Sequence, residues 1–235
     1  MNIFYAPPDQ IQDNVVELTG QEAIHASKAL RYQKGDSITV VDGIGGWYEG
    51  RIHLISNDTV RIAVQNHIIE KHPRPEVIVG MGIIKKRDRL EFAVEKAVEL
   101  GVREIALFRG EHSVKQNVRA DRLESIAVSA MKQSLQVWLP AIKVYKNMDD
   151  ILRTYFGYKV MAAHQKGDKG FKQSPKRKDN NTLLLVGPEG GFSQMEMELL
   201  TKENAHLISL GENRLRTETA VITFLSQFHY WRFSG

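Results

Sequence analysis

The sequence predicts an α/β protein with a parallel sheet, preceded by a small β-barrel. Three observations carry that prediction. Residues 182–186 form an unbroken apolar, partly β-branched run, the pattern of a strand buried on both faces, and Gly187 and Pro188 end it. Residues 76–108 read as strand, helix and strand, the unit that opens an α/β domain. Residues 1–72 instead carry short β-rich runs divided by turn residues.

In the N-terminal part, the runs 38–41, 47–55 and 59–64 are separated by Gly43-Ile44-Gly45-Gly46 and by Asn57-Asp58, turn chemistry that predicts a barrel of hairpins. A helix precedes them. Thr19 followed three residues later by Glu22 reads as a capping box, with Ile24, Lys28 and Arg31 on later turns. Lys28, Arg31 and Lys34 form the basic cluster of this region, and Tyr32 is available to stack on a base. A solvated helix end, whose cations favour the C-terminal dipole, accounts for the same residues. Pro73 and Pro75 stiffen the chain and forbid a continuing ladder, so the boundary falls there, between domains 1–72 and 73–235.

Next come a strand over 76–84 and a helix over 86–100, in which Leu90, Ala93, Val94, Ala97 and Leu100 recur at helical spacing. Gly101 is the expected left-handed stop, and 103–108 is the next strand. Lys85, Lys86 and Arg87 stand at the strand-to-helix junction. Cations at a helix start oppose its dipole, so they are either solvated charge or a site for an anion. Residues 119–136 are helical through Leu123, Ile126, Ala127, Ala130 and Met131, and 158–163 form another strand. Residues 166–181 hold six Lys and Arg, two Asp and almost no apolar residue, the composition of a long loop that either clamps phosphates or only solubilises.

The last part of the chain uses one design twice. After strand 182–186, Gly190 and Gly191 permit backbone angles closed to other residues, and Ser193 with Glu196 forms a capping box. Residues 206–210 are a second strand, Gly211 breaks it, and Thr217 or Thr219 caps a helix with Ala220, Val221, Phe224, Leu225, Phe228 and Trp231 on its apolar side. Open α/β sheets place ligands at the carboxyl ends of their strands, so the two loops are predicted to form one pocket. A plain structural turn explains GPEGG alone equally well. Leu215-Arg216-Thr217-Glu218-Thr219, however, is more polar than packing requires.

Composition removes several classes. With 42% hydrophobic and 26% charged residues among 235, the chain is neither disordered nor a membrane bundle. No apolar run spans a bilayer and the start MNIFYAPPDQ lacks the regions of a signal peptide, so a cytoplasmic protein is expected. There is no cysteine and the eight histidines show no ligand spacing, so no metal is expected. Residues 1–72 carry six Lys and Arg against nine Asp and Glu, which leaves −3 there and +7 in the remainder of a chain of net charge +4. RNA contact by the first domain would therefore rest on a local cluster and not on a general field.

GPEGGFSQMEME followed by LGENRLRTETA resembles the two C-terminal motifs of the RsmE family, SPOUT-class methyltransferases that modify N3 of a uridine in small-subunit (16S) ribosomal RNA. The similarity extends to Lys86, to KAVELGV at 96–102, to Gln133-Ser134 and to His25 with Leu30-Arg31, and so covers nearly the whole chain. It implies a C-terminal domain tied in a trefoil knot, a PUA-like N-terminal barrel, S-adenosylmethionine as cofactor, and small-subunit ribosomal RNA or the small ribosomal subunit as partner. The cofactor would be held by Gly187, Pro188, Glu189 and Gly190, by Leu210 and Gly211, and by Leu215, Arg216 and Thr217, while Lys28, Arg31 and Lys86 would meet RNA. The chain departs from the family at Lys132 and Gln136, where relatives usually have a glutamate and an arginine.

A uridine N3 carries a proton and becomes a good nucleophile only as that proton leaves. A carboxylate can accept it, and an arginine can stabilise the charge that moves onto the flanking carbonyl oxygens. Arg216 and Glu218 are therefore the candidate catalytic residues, Arg216 as the electrostatic stabiliser. Glu189 offers a further carboxylate, and either glutamate can instead fix loop amides. A nucleotide-binding enzyme is the rival by its glycine loop, but the chain has no GxxxxGK[ST] and no GxGxxG. A noncatalytic RNA-binding protein of the same fold is the other alternative. Finally, residues 219–233 carry more apolar surface than one helix face needs, which either is buried within its own domain or faces another subunit. The resemblance to the SPOUT class implies the second, a homodimer.

Overall fold

The structure, a computed structural model, describes residues 2–56, 58–111, 117–171 and 180–233. It divides into two units, Met1–His72 with Val128–Leu139, and Pro73–Ala127 with Pro140–Gly235.

The N-terminal unit holds β1 (Ile3–Tyr5), β2 (Ile11–Gln12), β3 (Val15–Thr19), α1 (Gly20–Ile24), β4 (Ser37–Val41), β5 (Gly46–Ile55) and β6 (Thr59–Ile69). Its strands form one sheet in the order β1-β4-β5-β6-β3-β2, antiparallel except for the β1–β4 pair. Register shifts at Glu49/Gly50 and Ile52/Leu54 add twist to the long β5–β6 hairpin. The sheet curls around Phe4, Val16, Leu18, Ile38, Val40, Ile52, Val60 and Ile62. Among the described residues β1 and β2 share no ladder, so the expected barrel is a curled sheet without hydrogen-bonded closure; β2, two residues long, offers too little edge for one. Asn57, half of a turn expected here, lies outside the described residues.

The capping box expected at α1 is absent. Thr19 is the N-cap, with φ −127° and ψ 168°, but its side chain caps nothing and accepts from Gln10 Nε2 at 3.0 Å. Glu22 is drawn elsewhere: one carboxylate oxygen accepts from the Tyr5 backbone N–H at 3.0 Å and the other pairs with Lys132. Tertiary partners have outcompeted a local motif, and the helix passes into a single π turn over His25–Ala29.

The second unit contains β7 (Val77–Gly82), α2 (Arg87–Glu99), β8 (Glu104–Phe108), the start of α3 (Ala120–Gln133), β9 (Ala141–Tyr145), α4 (Met148–Thr154), β10 (Lys159–Lys169), β11 (Thr182–Val186), α5 (Gln194–Lys202), β12 (His206–Ser209) and α6 (Thr217–Phe233). Its sheet runs β12-β10-β11-β7-β8-β9, and every neighbouring pair is parallel. β11, β7 and β8 are buried along their whole length, which is why they are written as continuous apolar runs. Ile78, Phe108, Ile151, Leu183, Leu185 and Leu200 pack together on one side of the sheet.

The chain lays β7, β8 and β9 outward in one direction, then crosses over to β10, and β11 enters between β10 and β7. The end of β10 and the loops leaving β11 and β12 are thereby gathered at the carboxyl edge, next to the point where strand order reverses. The basic segment expected as a loop from residue 166 begins instead as strand: β10 runs on to Lys169 through a register shift between Ala163 and Asp168. Residues 172–179 of that segment lie outside the described residues.

Candidate functional site

The far part of β10 and the loops that follow β11 and β12 form a cleft of about 570 Å³. Ala163, His164, Gln165 and Lys166 line it from the shifted part of β10. Val186 to Phe192 line it from the β11 loop, and most of the stretch between Ser209 and Ala220 closes the third side.

Local chemistry fixes each wall. After β11 the chain makes a turn closed by the Gly191 N–H donating to the Pro188 carbonyl at 2.8 Å. Gly191 takes φ of 74°, a left-handed angle that favours glycine. The turn passes straight into the capping box of α5: Ser193 Oγ accepts from the Glu196 N–H at 3.1 Å and Glu196 Oε2 from the Ser193 N–H at 2.8 Å. Behind the turn stands Gly82, the last residue of β7, where a Cβ would lie 2.5 Å from the Pro188 nitrogen. Only glycine allows the ligand loop to sit against that strand end.

Four further bonds tie the loops together. Glu189 Oε1 accepts from the Lys85 N–H at 3.0 Å, fixing the turn to the junction of β7 and α2. Arg214 donates to the Glu189 carbonyl at 3.1 Å, and Thr217 Oγ1 to the Gly187 carbonyl at 3.2 Å, which join the β12 loop to the β11 loop. Gln227 of α6 donates to the Leu210 carbonyl at 3.2 Å. The two segments of similar design are thus cross-bonded walls of one cleft.

All nine residues expected to hold a cofactor, namely Gly187, Pro188, Glu189, Gly190, Leu210, Gly211, Leu215, Arg216 and Thr217, line this cleft. Arg216 is exposed there, whereas Thr217 is the first residue of α6 and its hydroxyl serves Gly187 rather than capping the helix. Glu218 is placed differently. It is buried, its Oε1 lies 3.4 Å from Arg89 Nε of α2, and its Oε2 has no hydrogen-bond partner among the described residues. Lys86 is the exposed N-cap of α2. Lys28 and Arg31 belong to the N-terminal unit, where both are exposed and Arg31 has φ of 56°. Lys132 is committed to Glu22, and Gln136 donates to Ser134 Oγ at 3.0 Å.

Sequence reasoning did not single out Gly82, Arg214 or the β10 residues His164 and Gln165. The polar run after Ala163 looked like the end of a strand, and a glycine needed for close approach has no local signature. The cleft pairs apolar Val186, Leu210, Leu215 and Ala220 with the cations Lys166, Arg214 and Arg216 and with loop backbone groups. Such a mixture suits a flat heterocycle on one side and an electron-rich group on the other. Among the described residues no group of three or more His, Cys, Asp or Glu is placed to hold a metal ion, and no helix is long and apolar enough to cross a membrane.

Comparison with known proteins is consistent along the whole chain. Residues 70–229 match a family model described as an RNA methyltransferase domain, and residues 18–65 one described as an RNA methyltransferase PUA domain. The ribosomal RNA small subunit methyltransferase E of Mesomycoplasma hyopneumoniae is 31% identical over 92% of this chain and 94% of that protein. The protein of the same name from Rickettsia conorii is 27% identical over 96% of this chain and 94% of its own. Among solved structures, a probable rRNA methyltransferase from Porphyromonas gingivalis superposes with a TM-score of 0.89 at 31% identity, covering 99% of this chain and 98% of that one. The ribosomal RNA small subunit methyltransferase E of Neisseria gonorrhoeae, bound to S-adenosyl methionine, shares the fold with a TM-score of 0.84 at 22% identity, over 98% of each chain.

Proposed function

The chain belongs to the ribosomal RNA small subunit methyltransferase E family, and from that premise we infer that its cleft holds S-adenosylmethionine and that it methylates N3 of a uridine in small-subunit ribosomal RNA. It is an RNA methyltransferase with a PUA domain. The observation that carries the cofactor assignment is the convergence of nine residues from two glycine-broken strand ends on one cleft of about 570 Å³, a size proper to small-molecule sites. The residues fit the group: Val186, Leu210, Leu215 and Ala220 supply an apolar slot for adenine, and the amides and carbonyls of the two loops supply partners for its edge. When bound, S-adenosylmethionine supplies an electrophilic methyl group on a sulfonium.

What the chain's own residues contribute is alignment and charge. The bonds from Arg214 to Glu189 and from Thr217 to Gly187 hold the two loops at a fixed separation, which limits the angles at which donor and acceptor can meet. Arg216 lines the cleft with an exposed guanidinium and stabilises the negative charge that shifts to a uracil carbonyl oxygen as N3 loses its proton. Glu189 fixes a loop amide through one carboxylate oxygen, and its other oxygen is the group that takes up the N3 proton. Glu218, buried against Arg89, acts by holding the first turn of α6 and hence Arg216.

In this scheme the C-terminal unit is a SPOUT-class trefoil knot. Support comes from the insertion of β11 between β10 and β7 and from the return of Thr217 to the Gly187 carbonyl. Lys28, Arg31 and Lys86 meet the RNA, and the enzyme works in the cytoplasm as a homodimer. Calorimetry with S-adenosylmethionine and with ATP, followed by nucleoside mass spectrometry of small subunits incubated with enzyme and cofactor, tests the assignment. Binding of S-adenosylmethionine alone and the appearance of N3-methyluridine are expected. Absence of cofactor binding by a normally melting protein would sink the site, and a methyl group at any other atom would sink the N3 assignment.

A further inference from the structure

A second, smaller cleft of about 180 Å³ opens between the start of α2 and the start of α3. Arg87, Arg119, Arg122 and Asn117 surround it, over a floor that includes Leu90 and Leu123. Resting on the RNA methyltransferase function, we propose that this cleft binds a phosphodiester of the substrate strand beside the target nucleotide.

Four cations stand at two helix starts here, Lys86 and Arg87 at α2 and Arg119 and Arg122 at α3. Asp88 and Asp121 stand in the first turns of the same helices, but the cations outnumber them four to two, and that excess opposes the dipoles unless an anionic ligand offsets it. The pairing of the arginines is graded. Arg122 places Nε and Nη2 at 3.3 and 3.2 Å from the same oxygen of Glu91, which is mostly covered, and so forms a fixed wall. Among the described residues Arg119 forms an ion pair only with Asp121, at 3.0 Å, with side chains 59% and 70% exposed, a pair that solvent screens and that phosphate can displace. Arg87 is exposed and has no ion-pair partner among the described residues. Two guanidiniums are thus available, with the amide of Asn117 beside them. Two forked cations over a small apolar floor match a phosphodiester and its ribose in both charge and size, whereas a metal ion would be repelled.

The position points to the same ligand. α2 and α3 follow β7, which neighbours β11 in the sheet, and β8, the next strand outward, so both clefts open at the carboxyl edge. The Lys85 N–H bonds to Glu189 of the ligand loop, and Arg87 lies two residues on. An RNA strand with its target base in the first cleft can follow this edge past Lys86 and Arg87 to Arg119.

The test is the salt dependence of binding to a transcript of small-subunit ribosomal RNA. Each phosphate neutralised on a single strand contributes about −0.7 to the slope of log K against log salt. Arg87→Gln combined with Arg119→Gln is expected to flatten the slope by about 0.7, to weaken unrelated single-stranded RNA equally, and to leave S-adenosylmethionine affinity and the melting curve unchanged. Arg153→Gln, on the exposed end of α4 that leads into the amino end of β10, should leave the slope as it is. An unchanged slope in the double variant overturns the phosphate site, as does a fall in RNA affinity that only mirrors a fall in cofactor affinity. Failure of the wild type to methylate ribosomal RNA would refute the function instead, since the slope is read from binding alone.

Discussion

Arg216 and Glu218 are two residues apart and meet opposite surroundings, one exposed in the ligand cleft and the other buried against Arg89. Arg216→Ala should lower turnover by 10²-fold or so while S-adenosylmethionine affinity, read by calorimetry, stays within a factor of a few, because a guanidinium that acts on developing charge is felt mainly in the transition state. A loss confined to cofactor affinity would make Arg216 a binding residue. Gly82→Ala should do the reverse. Its Cβ would meet the Pro188 nitrogen at 2.5 Å and displace the ligand turn, so cofactor affinity should fall before turnover at saturation does; normal affinity would show that the turn yields. His229 of α6 gives a pH signature. Burial lowers its pKa, Arg232 pushes the same way, and a hydrogen bond to the Leu100 backbone opposes them. The unfolded chain takes up a proton near pH 6.5 while the folded one resists, so this contribution is full above about 6.5 and is lost as pH falls towards the folded value. His229→Leu should therefore lose less stability than the wild type between pH 7.5 and 5.5 in denaturant titrations, and equal slopes would exclude the effect.

At the scale of elements, α5 illustrates how a local motif succeeds. Ser193 and Glu196 are buried and have no competing partner strong enough to pull them apart, so the capping box forms as written and sets where the ligand loop ends. Ser193→Ala should cost about 1 kcal/mol and lower the melting temperature by roughly 2–4 °C. An undisturbed melting curve would mean that packing alone fixes the start of α5. At α1 the same spacing fails, because Tyr5 and Lys132 claim Glu22. The pattern is a hydroxyl residue followed three positions later by glutamate in both places, Thr19 with Glu22 and Ser193 with Glu196. The difference lies in what the rest of the chain brings within reach.

For the whole molecule the open question is the second subunit. α6 uses most of its apolar surface on its own unit: Val221, Phe224, Leu225 and Phe228 are buried, and Phe224, Phe228 and Trp231 pack around Phe171. What remains is Tyr230 and Phe233, 76% and 73% exposed, with Phe92 partly exposed on α2, the helix against which α6 packs. A patch of this kind supports pairing of two chains, and light scattering should give twice the 26.7 kDa of one. A monomer of full activity would remove the dimer from the scheme.

The sequence by itself determined the elements whose burial leaves a regular trace. β7, β8 and β11 are covered on both faces and so are written as apolar runs, and α2 and α6 repeat their buried residues at helical spacing. It also marked the two glycine-broken loops, although only the family resemblance gave their residues a cofactor. Edge and short elements stayed hidden: β9 is half exposed and carries a lysine, β2 has two residues, and α4 seven. Only the tertiary structure decided that β11 lies between β10 and β7, that Gly82 must be bare for Pro188 to pass, and that Glu218 turns to Arg89 and away from the cleft. Periodicity records what a residue buries, not which distant residue it is buried against. Those pairings are long-range, and they are what turns two loops into one site.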